Sequence, residues 1–301
     1  MLNFILAMVG AGTPLLFGTI GEILSERVGH LNLGVEGMMA IGACAGFMTG
    51  YFTDNFLLAL FVAFLAGALS ALIYAVLTVT LMANQNVIGL ALTIFGVGLS
   101  NFIGIFILNK TGAGSLKLPE QITSSMRMTI FGFNIFIYIG IILAIFLEFW
   151  IRKTKTGLSI RAIGENPQAA EAAAETAQAA GGLSTGMGYL AAALVGGGIC
   201  GIGGAYCALI INGGVWTSNV IGGLGWISVA LVIFASWDFF GAILGSMFFG
   251  ALRVLKYYIP TSILPLPNAF YDMLPFLMTA IILILGSMNK KKKGSMPGYL
   301  G

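Results

Sequence analysis

Charged side chains make up only 8% of these 301 residues, against about 25% in an average soluble domain. A chain so poor in charge cannot coat a body that faces water on all sides. Histidine occurs once, at His30, and cysteine three times, at Cys44, Cys200 and Cys207, each cysteine inside an apolar run. That pattern offers neither a disulfide framework nor a metal site, and the cysteines read as small packing residues. The loop G-x-x-x-x-G-K-[ST], whose backbone cradles nucleotide phosphates, is missing, so ATP chemistry would have to sit on another polypeptide. No basic stretch precedes the first apolar run, and the first charge is Glu22. This argues against a cleaved signal peptide and for an uncleaved first span.

What is abundant is apolar: 58% of the residues are hydrophobic and mean hydropathy is +0.98. The expected class is an all-α polytopic membrane protein. A helix needs roughly 20 apolar residues to cross about 30 Å of hydrocarbon, and this scale gives spans at 4–24, 33–52, 56–82, 87–108, 129–151, 184–211, 223–237, 239–257 and 272–288. Nine crossings are expected, within a range of eight to ten. Arg27, Arg152, Lys153, Lys155, Arg161 and Lys290 to Lys293 then fall on one face and Lys110, Lys117, Arg127, Arg253 and Lys256 on or near the other, nine cations against five. The positive-inside rule makes the first face cytoplasmic, with the amino terminus outside and the carboxy terminus inside. Residues 1–289 form the membrane domain, and 290–301 are a basic cytoplasmic tail. The formal net charge of +3 reflects this sidedness and does not point to nucleic acid.

The longest inner loop, 152–183, carries a passage built for water, "GENPQAAEAAAETAQAAGG". Asn166 suits a helix N-cap, Pro167 the first helical position, and Gly181-Gly182 a stop. Glu171 and Glu175 are one turn apart on one face. A helix of about 14 residues with no apolar stripe is marginal alone in water, so it needs a partner.

Four stretches carry a resemblance: "GEILSERVGHLNLGVEGMMAIGA" (21–43), "LTVTLMANQNVIGLALT" (77–93), "GLSIRAIGENPQAAEAA" (157–173) and "GLGWISVALVIFASWDFFGAILGSMFFGAL" (223–252). Together they resemble the permease subunits of ATP-binding-cassette importers of the ribose and branched-chain amino acid branch. Within it they are most similar to permeases served by basic-membrane-protein-type lipoproteins, which import nucleosides. The resemblance implies a non-enzymatic subunit in a bacterial-type cytoplasmic membrane, with ATP and Mg bound by a partner ATPase. It implies further partners: a substrate-binding lipoprotein, membrane lipids, and a second permease, by preference a different chain and otherwise a copy. It also gives the polar passage a role, since in such importers a short cytoplasmic helix fits a groove on the ATPase. Gly164, Glu165, Asn166, Pro167, Gln168, Glu171 and Glu175 are the coupling residues on that reading. From 174 to 188 the sequence departs from the family pattern, with no basic residue before the next span.

Other features are read from the residues themselves. Gly42, Gly46 and Gly50, Gly197 and Gly201, and Gly241 and Gly245 repeat at four-residue spacing, which allows close helix contact. The G-x-G-x-x-G at 196–201 lies inside an apolar span, so packing explains it better than a dinucleotide site. "NVIG" occurs at 86–89 and 219–222, as an inverted repeat would leave. Glu26, Arg27, Asn32 and Glu36 are expected to pin an irregular inner-face element, with Arg27 bound to Glu36 or to loop backbone. Asn84, Asn86, Ser100 and Asn101 could hydrogen-bond a nucleoside and Trp226 could stack on it. Two alternatives stand beside this reading: a simple-sugar permease of the same branch, and an ion-coupled secondary transporter. Against the second, the carboxylates Glu22, Glu26, Glu36, Glu165, Glu171 and Glu175 gather at the inner rim.

Overall fold

The fold is described by a computed structural model for residues 2–112, 114–120, 122, 129–166, 168–170, 185–258 and 267–288. It is helical almost throughout. The helices are α1 (Leu2–Arg27), α2 (Val35–Thr53), α3 (Phe56–Ala75), α4 (Gln85–Thr111), α5 (Ile135–Lys153), α6 (Lys155–Glu165), α7 (Thr185–Tyr206), α8 (Leu224–Ala235), α9 (Phe239–Val254) and α10 (Asn268–Met288). A two-residue hairpin, Thr129–Ile130 with Phe133–Asn134, precedes α5. Many starts are set by short polar side chains: Asn55, Asn84, Asn134, Thr154 and Asp238 each accept a hydrogen bond from a first-turn backbone N–H. Each satisfies a donor that no helix can satisfy internally.

The centre of the bundle is built on glycine. A Cβ on Gly204 would overlap the Met39 carbonyl oxygen, one on Gly42 would overlap Gly201, and one on Gly67 would overlap the Gly197 carbonyl oxygen. So α2, α3 and α7 meet backbone to backbone, and Gly21 meets Gly196 in the same way between α1 and α7. Gly197 and Gly201 of the G-x-G-x-x-G therefore serve helix packing, as expected from their place in a span. The main apolar core, with Phe17, Phe47, Phe136, Phe239 and Phe249 fully buried, surrounds this contact. A second, smaller cluster of Val28, Ile160, Ile163 and Ala192 lies at the Arg27 end.

Among the described residues six helices are long and apolar enough to cross a membrane: Leu2–Arg27, Phe56–Thr80, Gln85–Thr111, Ile135–Lys153, Gly186–Ile211 and Phe239–Tyr257. The expected span 223–237 needs correction. The helix there, α8, has 12 residues and rises about 18 Å, too little for about 30 Å of hydrocarbon. The remainder is an irregular segment, 212–223. α7 runs antiparallel to α1, with Tyr206 near Gly10 and Gly196 beside Gly21, and a π-helical turn, Cys207–Ile211, carries the chain further toward the start of α1. Ser228 of α8 already lies on the Leu15 carbonyl, and Trp237 lies at Arg27. The segment 212–223 thus turns back from that end toward the level of Leu15 without being helical. Left-handed backbone at Gly213, Gly214, Asn219, Gly222 and Gly223 makes this path, which explains why glycine comes in pairs there.

Candidate functional site

The turn between α1 and α2, residues 28–34, has no helix to satisfy its backbone, and side chains from three helices do so instead. Glu22 accepts the Asn32 N–H at 2.8 Å, and Gln85 accepts the Leu31 N–H at 3.0 Å. Tyr74 donates its hydroxyl to the Leu31 carbonyl, and Thr93 donates to the Leu33 carbonyl, both at 2.8 Å. Asn32 accepts the Gly34 N–H at 2.9 Å. Buried backbone polar groups demand such partners, so the polar residues here are what lets an irregular turn exist inside the bundle.

The same stretch holds both ends of α8. Glu36, 4% exposed, accepts the Gly223 N–H at 2.7 Å and the Gly225 N–H at 2.6 Å. At the other end Arg27 donates to the Trp237 carbonyl from Nε at 3.2 Å and from Nη2 at 2.6 Å. The Trp237 indole N–H donates to Glu26. A carboxylate at the amino end of a helix and a guanidinium just past its carboxy end both suit the helix dipole. Of the two partners expected for Arg27, backbone is therefore the one adopted. Glu36 is committed to α8.

A third contact joins this unit to the polar loop. A Cβ on Gly164, near the end of α6, would overlap the Arg27 carbonyl oxygen. Ile160 and Ile163 pack on Val28 and Ala192, with Trp150, Ala170 and Tyr189 against them. Asn166 then behaves as the expected cap: its side chain accepts the Ala169 N–H at 3.0 Å, and its carbonyl accepts the Ala170 N–H at 2.9 Å. Glu165, Asn166 and Gln168 are exposed beyond this anchor. Pro167, Glu171 and Glu175 lie outside the described residues. Beside the turn, His30 is buried between Tyr189 and Tyr74, with ring centroids 4.6 and 6.5 Å away, and burial pushes its pKa down to about 4.

The sequence profile of the branched-chain amino acid transport system permease component family matches residues 4–283. The chain belongs to this permease family. It is 33% identical over 294 residues to the nucleoside ABC transporter permease protein NupC of Lactococcus lactis subsp. cremoris, covering 91% of this chain and 88% of that one. It is 32% identical over 311 residues to the guanosine ABC transporter permease protein NupQ of Bacillus subtilis, covering 96% and 93%. A Haloferax volcanii protein with a provisional glucose ABC transporter permease name, TsgC13, is 33% identical over 257 residues, covering 83% and 75%. No solved structure matches.

The permease distributes the five expected pathway residues over four settings. Asn84 is the cap of α4, accepting the Asn86 and Val87 N–H groups at 3.0 and 3.2 Å, and Asn86 is exposed beside it. Ser100 is buried where α4 faces α2, on a cavity of about 250 Å³ shared with Cys44. Asn101 accepts the Asn219 N–H at 2.8 Å, which ties α4 to the irregular segment. Trp226 stands on the first turn of α8, 37% exposed. Both "NVIG" copies lie at helix starts, one in the first turn of α4 and one just before α8. Sequence reasoning missed the irregular segment itself. Its signal was the glycine pairs Gly213-Gly214 and Gly222-Gly223, separated by seven residues of mixed character.

Proposed function

We propose that this permease is the membrane-spanning subunit of an ATP-driven nucleoside importer. The observation that carries this reading is the similarity to two permeases named for nucleosides, each covering more than nine-tenths of this chain. A partner ATPase supplies ATP and Mg chemistry and docks at 164–170, where exposed polar residues stand on an anchored glycine. A substrate-binding lipoprotein delivers the solute on the opposite side, and a second permease completes the path in the cytoplasmic membrane. The charge asymmetry of the sequence supports an outside amino terminus and an inside carboxy terminus, and the paired "NVIG" helix starts support an inverted repeat.

Movement at the Asn166 turn has a packed route inward: Ile160 and Ile163 press on Val28, Arg27 and Glu26 hold Trp237, and Glu36 holds the first turn of α8. Rocking α8 against the irregular segment 212–223 would open or close one half of the path, with Asn101 and Trp226 at its edge. Such a route is a claim about coupling and needs coupling measurements. An ion-coupled mechanism is less well supported, because Glu22 and Glu36 already accept backbone N–H groups.

The test is uptake in liposomes holding the permease with its partner ATPase, second permease and lipoprotein. Labelled guanosine or uridine should accumulate only with ATP on the ATPase side, and excess unlabelled nucleoside should compete where glucose and ribose do not. Accumulation driven by an ion gradient with this chain alone would overturn the proposal, and competition by glucose alone would move it to sugars.

A further inference from the structure

At the Arg27 end a cavity of about 630 Å³ is lined by Glu148, Phe149, Arg152, Lys153, Arg161, Asp238 and Phe240. A smaller one of about 170 Å³ shares Glu148, Arg152 and Arg161 and reaches inward to Arg27. Four cations and two carboxylates thus face one space. The carboxylates are already engaged. Glu148, 3% exposed, pairs with Arg152 and accepts the Phe239 N–H at 3.2 Å. Asp238 pairs with Arg152 at 2.9 Å and caps α9 through the Gly241 N–H at 2.9 Å.

Arg152 therefore meets both acids, while Lys153 and Arg161 have no ion pair among the described residues. Arg27 spends Nε and Nη2 on a carbonyl. The cavity keeps an excess of about two positive charges that no carboxylate among the described residues neutralises, which calls for an anion. The walls say which kind. Phe149 and Phe240 are 55% and 44% exposed, and both stand at the ends of long apolar helices, α5 and α9. A cavity charged within and flanked by exposed phenylalanine at a helix end lies where headgroup meets acyl chain.

We infer that this cavity binds the phosphate headgroup of an anionic phospholipid, with its acyl chains along Phe149 and Phe240. Lys153 and Arg161 supply the free charge, and Arg152 is the fixed post that keeps Glu148 and Asp238 from competing. The inference requires only that the chain sits in a bilayer with this helix end at the rim. It does not depend on the transported solute or on the nucleotide partner.

Native mass spectrometry of the detergent-solubilised full chain, titrated with phosphatidylglycerol or phosphatidylcholine, tests it. Phosphatidylglycerol adducts are expected at concentrations where phosphatidylcholine gives none. K153Q and R161Q should each weaken them about fivefold, since a juxtamembrane cation contributes about that factor. Both side chains are exposed, and an unchanged melting temperature would confirm that the variants fold. Inorganic phosphate serves as the free-anion probe: failure of millimolar phosphate to displace the lipid supports a headgroup site. Equal binding of the two lipids, wild-type binding by the double variant, or full displacement by phosphate alone would each overturn it. None of these outcomes alters the uptake test above.

Discussion

The helices α1 and α7 are somewhat less apolar than α3 and α4, yet they lie deeper in the bundle. The most apolar windows of the spans containing α1 and α7 are 61% and 72% buried, while those of α3 and α4 are 33% and 28% buried. Hydrophobicity alone therefore does not decide which helix is inside, since lipid and protein interior are equally apolar. Close backbone approach to more than one helix marks α1 and α7, whereas the one glycine of α3, Gly67, meets α7 alone. Where glycines of α2, α3 and α7 meet, no side chain can be inserted; α4 sets Gly96 against Gly37 of α2 but turns Gly98 to open space. The centre is set by shape, and the periphery is free to face lipid or a second permease.

Glycine substitution breaks this contrast most directly. G204V should abolish recovery of monodisperse protein, because its Cβ meets a carbonyl of α2; overpacking costs about 1–3 kcal/mol where side chains can yield, and a backbone contact yields less. G98A should leave size-exclusion behaviour unchanged or raise the melting temperature slightly, as alanine is about 1 kcal/mol better than glycine in a helix. If the two variants behaved alike, the distinction between centre and periphery would be wrong.

A smaller effect is expected where the contrast turns polar. E36A leaves the Gly223 and Gly225 N–H groups without their acceptor, and each unsatisfied buried group costs about 1–3 kcal/mol. E36Q keeps one acceptor and should recover part of the loss. Thermal unfolding in detergent reads the order wild type, E36Q, E36A. Uptake should fall in the same order if α8 must be held from Glu36 to move as a unit.

A pH-dependent effect is expected at His30. Its folded pKa of about 4 lies below the ordinary value of 6.5, so the fold prefers the neutral ring. The stabilisation is complete above about pH 6.5 and is lost progressively as pH falls toward 4. Melting temperatures measured across that window should decline more steeply for wild type than for H30F. Parallel curves would place the acid-sensitive group elsewhere.

The features legible in the sequence were those with short-range causes. The cap at Asn166 follows from asparagine before helix formers, and the long spans follow from length and hydropathy. The descent of 212–223 into the bundle was not legible, because its polar, glycine-rich composition, NGGVWTSNVIGG, reads as an external loop. Its left-handed residues are visible only as glycine pairs. The clamp from Arg27 and Glu36 was half legible: both residues stood out as polar in an apolar chain, but their partners lie 210 and 187 positions away. Glu148 and Arg152 are one turn apart on α5, but Asp238 joins them from 86 positions away.

The central claim is that an ATPase engages the polar turn that begins at Asn166 and rests on α1. It is tested most directly by cysteine crosslinking of Gln168→Cys to the partner ATPase in the assembled complex, with uptake measured before and after. The native cysteines Cys44, Cys200 and Cys207 are buried, so the introduced thiol supplies the reactive site. The expected result is a crosslink to the ATPase, loss of ATP-driven uptake on crosslinking, and recovery on reduction. Labelling of Gln168→Cys in intact cells by a membrane-impermeant maleimide, with no crosslink to the ATPase, would contradict it.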